Sequence, residues 1–521
     1  MKQPYLAAHG TAKALMVDDK PMILLSGELH NSSSSSLAYL APIWPRLRAL
    51  HLNSVIASVS WELLEPAEGS YDFALVDGLL CQAEEHGMKL VLIWFATWKN
   101  AASTYVPEWV KTDHVRFPRA IDRDGRKNAA ISCFSQACME ADARAFAALM
   151  RHIGQVDARR TVVMMQVENE SGLLGTRRDH SPAAQARYRE AIPAPLAAYL
   201  RAHRQTLSPY LLARTNFDAL DADWATAFRD DAEEIFMAYY TACFVEAVAR
   251  AGKQAYDIPM FANAWTRQCE DEPGGMHPSG GPIADVHDIW RCAAPSLDAL
   301  APDLYLENFA QECAAYTRLP GNPLIIPEMR RNNWAMASAF YAVAEHDALC
   351  VSPFGIDGLG QGGAAAGDAV VQAVLDAHSA EAGEPLAQTY ALLGELMPLL
   401  TRHRGTGTMR GILQGRGAYD VLRFARYALK IQYSRPISQE NGPAGGLVIA
   451  LGERDFLIAG MGFTVTCASL EKPFTELVFV EEGRYCGEEW VPGRRLNGDE
   501  LGIRFGEMPT LCKVRLYDDE G

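Results

Sequence analysis

The stretch Val162-Val-Met-Met-Gln-Val-Glu-Asn-Glu170 is an apolar run that ends abruptly in Glu168, Asn169 and Glu170. Its length and β-rich composition read as a buried strand. Charge at the C-terminal end of a buried strand points to a (β/α)8 barrel, where that end is the active-site face and the strand below it packs in the core. Leu324-Ile-Ile-Pro-Glu328 repeats the pattern: a short apolar strand that terminates in a carboxylate.

Working outward from these two strands, β-rich apolar runs alternate with helical patterns through the first 360 residues, the sequence form of repeated βα units. Eight candidate strands lie near residues 22–26, 54–58, 89–95, 161–166, 258–263, 301–305, 323–327 and 349–354, the number a closed barrel needs. Glu170 then follows the fourth strand and Glu328 the seventh. Amphipathic stretches at 37–50, 75–85, 137–153, 183–204 and 232–251 supply the outer helices. The fourth and fifth strands stand about 90 residues apart, which predicts extra helices or a lid over that side.

A last helical segment at 385–402 gives way near residue 405 to short alternating strands at 447–451, 455–459, 463–468, 476–481 and 512–517. These predict a small β-sandwich, so residues 1–404 read as the barrel with a helical extension and 405–521 as a second domain. The Gly/Ala run 360–367 lacks the GKS/T ending of a phosphate loop and reads as a rim loop. The serine run 32–36 reads as a loop with a helix cap at Ser36, since no GxSxG elbow surrounds it.

The 49% hydrophobic and 21% charged content is that of a globular protein, and 521 residues can bury a large core. A net charge of −16 with no basic run argues against nucleic acid as a partner. The eleven cysteines are scattered singly, without CxxC or Cys/His spacing, so no metal site is expected. No apolar run is long enough to span a membrane, and no signal peptide is visible at the start. An exported protein with its leader removed and a cytoplasmic protein both fit.

Two carboxyl groups facing one cleft are what glycoside hydrolysis needs: one protonates the leaving oxygen, the other attacks the anomeric carbon or activates water. Asn169-Glu170 and Glu328 resemble the acid/base and nucleophile of the clan of retaining (β/α)8 glycosidases. Within it, Gln166-Val-Glu-Asn-Glu170 is similar to the acid/base segment of glycoside hydrolase family 35, the β-galactosidases. Trp61-x-x-x-Glu65-Pro66-x-x-Gly69-x-Tyr71-Asp72-Phe73 and Ser26-Gly-Glu-Leu-His30 support the same family. The resemblance spans residues 20 to 360. It departs at Ser171 and Arg330, where many members carry Tyr, and at Ser58 before the Trp61 segment. It implies a divergent bacterial branch with a C-terminal β module, and for such branches removal of galactose from xyloglucan side chains.

The resemblance implies Glu328 as an ionised nucleophile and Glu170 as the acid/base, its pKa raised by the neighbouring negative charge. No cofactor is needed, and the partner is an oligosaccharide substrate. Asn169 reads as a donor to the sugar 2-hydroxyl or as a loop-stabilising amide, and Tyr305 as a residue that orients Glu328 or as a rim tyrosine that packs. Trp98, Lys99 and Asn100, which close the third strand, are the mixture that cups a pyranose. Trp61, Trp265 and Trp334 follow strands and read as sugar platforms or as core. Glu168 reads as sugar-binding or as one arm of a salt bridge. Glu65 reads as an anchor of its turn, and His30 as a satisfied hydrogen-bonding residue. The same scaffold serves β-glucosidases, β-mannosidases and endo-glycanases, because two glutamates do not choose between epimers. A barrel that binds carbohydrate without turnover is the alternative from another class.

Overall fold

In the computed structural model, residues 2–269, 272–359, 382–438 and 441–519 are described, which leaves the 360–367 run outside them. Eight strands form one sheet: Leu24–Leu25, Ser54–Ser60, Lys89–Phe95, Val162–Val167, Met260–Trp265, Ala299–Leu304, Ile325–Met329 and Cys350–Pro353. Numbered along the chain, they are ordered 1-8-7-6-5-4-3-2, the circular order of a (β/α)8 barrel. Each overlaps one of the stretches read from sequence. The fourth and sixth strands are buried at every residue, as strands covered on both faces must be. Asn53 bridges the seam beside the first strand: its N–H donates to Leu25 O (3.1 Å), its Oδ1 accepts from Leu25 N–H (2.9 Å) and its Nδ2 donates to Ile23 O (2.9 Å).

The chain divides into two compact units, one of residues 1–5, 31–42 and 55–327, the other of residues 6–30, 43–54 and 328–521. In the first, the long helices Gln136–Val156 and Ala232–Ala255 meet at Gly252, where a Cβ would lie 2.3 Å from the Phe146 ring. The connection between the fourth and fifth strands carries extra helices, as its length predicts. The stretch expected as one helix over 183–204 is two, Pro182–Arg189 and Ala194–Ala202. Pro193 and Pro195 lack the N–H that a continuing helix needs, and each disfavours helical backbone before it. The same effect of Pro42 and Pro45 divides 37–50 into Leu37–Leu40 and Trp44–Ala49. Ser36 caps the first of these by accepting Tyr39 N–H at 3.3 Å.

In the second unit, two antiparallel sheets enclose a core that includes Tyr427, Leu429, Val448, Phe456, Ile458 and Val514. The strands Tyr419–Arg423 and Glu489–Leu496 were not expected, because both are mostly exposed and lack an apolar alternation. The helix Trp334–Glu345 lies against this sheet so closely that a Cβ on Gly445 would stand 2.4 Å from Ala337 Cβ. Glu345 accepts from Arg410 through both carboxylate oxygens (2.9 and 3.0 Å). The eleven cysteines are free thiols, and no helix among the described residues is long and apolar enough to cross a membrane.

Candidate active site

Strand four leaves the sheet through backbone that only a well-braced chain adopts: Glu168 has φ +63° and Glu170 φ +47°, both in the left-handed region. Neighbouring loops supply the bracing. Gln166 Nε2 donates to Glu168 O (3.2 Å), Asn169 N–H to Trp98 O (3.3 Å) and Ala101 N–H to Glu170 O (3.1 Å). The Glu168 carboxylate accepts the Trp98 and Thr97 N–H groups at 2.7 and 3.4 Å. The loop after strand three is thereby stitched to the end of strand four along its length.

From the other side, strand five presents Asn263. Its Oδ1 accepts Glu170 N–H (2.9 Å) and its Nδ2 donates to Asp303 Oδ2 on strand six (2.8 Å). Glu170 and Asp303 bring carboxylate oxygens within 4.8 Å of each other, and both belong to a group of buried acidic side chains close enough to share a cation. Two-carboxylate glycoside chemistry requires none. Asn263 and Asp303 were not singled out from sequence. Their signal is the one that marks Glu328: a polar side chain near the end of an otherwise apolar strand, as in Met260–Trp265 and Ala299–Leu304.

Lys99 Nζ donates to Asn169 Oδ1 (3.0 Å) and lies 5.2 Å from the Phe95 ring centroid, so Lys99 and Asn169 come together beside Glu170. Asn100 is exposed at φ +51° and lines a cleft of about 280 Å³ with Ala101, Asn128 and Leu174. Trp98 is buried edge-on against Phe244 at 4.8 Å. Trp265 ends strand five, half-buried, and Tyr305 follows strand six, also half-buried.

Glu328 is buried near the end of strand seven, the C-terminal side of a parallel sheet, as Glu170 is on strand four. Three residues later, Arg331 Nη1 reaches His30 Nε2 (3.1 Å) and the Gly355 carbonyl, and His30 Nδ1 pairs with Asp357 at 2.8 Å. Gly355, at φ +64°, leaves no room for a Cβ, which would stand 2.5 Å from Arg331 Nη1. Arg330 lies over the Trp334 ring at 5.2 Å.

Trp61 is placed elsewhere. It is 0% exposed, packs against Trp94 and Trp109 and gives its indole N–H to Glu65 at 2.7 Å. The other Glu65 oxygen accepts Gly69 N–H at 2.7 Å, which makes Glu65 the anchor of its turn. Glu168 is buried and, among the described residues, forms no salt bridge; burial, with the Asp142 charge adding to it, pushes its carboxyl well above the usual carboxylate range.

Comparison with known proteins bears on this arrangement. Residues 42–232 match the family model of the β-galactosidases of glycoside hydrolase family 42, and residues 386–506 match DUF5597, a domain of unknown function. A β-galactosidase of Xanthomonas manihotis is 30% identical over 176 residues, covering 32% of this chain and 27% of that protein. The β-galactosidase BgaA of a Thermus species is 27% identical over 191 residues, 35% of this chain and 25% of that protein. The chain thus spans about a quarter of the length of these relatives. The structure of a family 42 β-galactosidase from G. stearothermophilus superimposes with a TM-score of 0.50 over 95% of this chain and 98% of that one, at 13% identity, a likeness of fold. These matches do not support the expected family 35; over residues 42–232 the similarity is to family 42, of the same clan. The reason is physical: strand-end carboxylates are what glycoside chemistry demands of any barrel in the clan, so they do not tell one family from another. The chain therefore carries, over residues 42–232, a region similar to the family 42 β-galactosidases.

Proposed function

We propose that this chain is a retaining exo-β-galactosidase in which Glu170 is the general acid/base and Glu328 the nucleophile, the barrel domain being residues 1–404 and the β-sandwich 405–521. The observation that carries the reading is the braced left-handed turn at 168–170, which presents Asn169 and Glu170 at the end of strand four inside the region similar to β-galactosidases. Glu328 attacks the anomeric carbon as Glu170 protonates the leaving oxygen; Glu170 then takes a proton from the water that releases the sugar. Asp303 and Asn263 fix the acid/base from behind. Asn169, Lys99, Asn100, Trp265 and Tyr305 supply the sugar contacts, and Trp61 and Trp98 serve the core beneath them.

The test is release of galactose from aryl β-D-galactosides, from galactose-terminated oligosaccharides and from xyloglucan oligosaccharides, beside the matching β-glucosides and β-mannosides. Galactose release with the anomeric configuration kept, followed by NMR, is expected. Hydrolysis of a β-glucoside or β-mannoside in its place would replace the specificity, and an inverted product would replace the mechanism.

A further inference from the structure

The turn that carries Asn169 and Glu170 is braced by two carboxyl groups that the reaction leaves unused. Glu168 and Asp142 are 1% and 0% exposed. Asp142, on the helix Gln136–Val156, accepts the Trp94 indole N–H at 2.8 Å and the Thr97 hydroxyl. Glu168 accepts the N–H of the same Thr97 and that of Trp98. The two carboxyls thus meet at one residue, Glu168 on the N–H of Thr97 and Asp142 on its hydroxyl, and among the described residues neither has a cationic partner. Lys99 points to Asn169 instead. The other titratable groups on this side are the Cys138 thiol, 3.5 Å from Thr97 Oγ1 and kept protonated by burial, and Arg119, which faces that thiol. An ionised carboxylate only accepts hydrogen bonds, so two of them gathered on one residue in a buried site, with no cation beside them, repel unless a proton stands between them.

We propose that Glu168 and Asp142 hold one proton between them, Glu168 supplying the O–H, and that this neutral and anionic pair is the positioning device for the left-handed turn of the acid/base. The positioning half rests on Glu170 acting in catalysis; the shared proton does not. Burial raises both carboxyls, and Glu168 further, because Asp142 has the Trp94 and Thr97 donors to sustain its charge. A raised carboxyl binds its proton more tightly folded than unfolded. The stability it contributes is full below the ordinary value of 4.5 and is lost as pH rises towards the folded value.

The experiment measures denaturant unfolding from pH 5 to 9 for the wild type, Glu168→Gln and Asp142→Asn. Glutamine can keep its oxygen on Trp98 N–H and donate its N–H to Asp142; asparagine gives the Glu168 carboxylate a permanent donor. Each should remove an alkaline loss that costs the wild type up to about tenfold in folding constant per pH unit. Parallel pH curves for all three proteins would overturn the shared proton. On an aryl β-galactoside, Glu168→Ala should lower kcat with KM little changed and Glu168→Gln should restore it. An unchanged kcat in Glu168→Ala would overturn the positioning role. If the wild type turns over no β-galactoside, the proposed function fails while the unfolding curves still read the proton.

Discussion

The amide oxygen of Asn263 accepts the backbone N–H of Glu170 at 2.9 Å, so strand five holds the proposed acid/base of strand four by its main chain. The same side chain donates to Asp303 at 2.8 Å. Asn263→Ala removes both hydrogen bonds from a buried site, and displacement of a catalytic group by about 1 Å can cost on the order of a hundredfold. A fall in kcat of roughly ten- to a hundredfold is expected, with a smaller change in KM. Steady-state kinetics on an aryl β-galactoside checks this, and a kcat equal to wild type would refute it.

The two glutamates should fail differently. Glu328→Gln should lose nearly all turnover of every substrate, because no nucleophile remains. Glu170→Ala should retain activity only on leaving groups that depart without a proton, such as dinitrophenolate, and lose roughly a hundred- to ten-thousandfold on alkyl glycosides. Equal losses on both substrate types would contradict the acid/base role.

Glu65 is expected to matter for folding before it matters for chemistry. Glu65→Ala strands the Trp61 indole N–H and Gly69 N–H, and a loss of about 3 kcal/mol follows from two hydrogen bonds to a buried charged acceptor. Thermal unfolding should show the drop. Stability unchanged within about 0.5 kcal/mol would mean that the turn has another anchor.

His287 should set part of the acid limit of stability. Burial pulls its imidazole down from 6.5 to about 3, so the folded protein keeps it neutral where the unfolded chain is protonated. Stability from this residue is present above pH 6.5 and is lost as pH falls towards about 3. Its ring nitrogen bonds Pro282 O at 3.2 Å, a carbonyl that Tyr316 also serves at 2.9 Å, so His287→Phe leaves that oxygen paired. The variant should unfold less steeply with acid than the wild type in urea titrations between pH 4 and 7. An identical slope in both proteins would count against it.

Gly445→Ala should loosen the C-terminal sheet from the helix Trp334–Glu345, since the added Cβ would stand 2.4 Å from Ala337 Cβ. Overpacking of this kind costs about 1–3 kcal/mol, readable as a lower unfolding midpoint. An unshifted midpoint would mean that the helix yields freely.

The eight barrel strands were legible because each is a short apolar run between helical patterns, a signal that depends only on neighbours along the chain. Glu170 and Glu328 were legible for the same reason, as charge at the end of such a run. The strands Tyr419–Arg423 and Glu489–Leu496 were not, since exposed edges carry no apolar period. Proline positions that split two outer helices were present in the sequence but outweighed by the periodicity around them. Trp61 and Trp98 show the limit for aromatic residues: composition places a tryptophan after a strand, and packing alone sends it into the core.

By itself the sequence determined the barrel, the strand ends that bear carboxylates and the antiparallel character of the C-terminal region, because hydrophobic periodicity and chain order are local properties. Only the tertiary structure decided which groups surround Glu170. Asn263, Asp303 and Asp142 reach that turn from other strands and a helix. Partners separated by up to about 130 residues along the chain are joined by packing, and no spacing along the chain encodes their meeting.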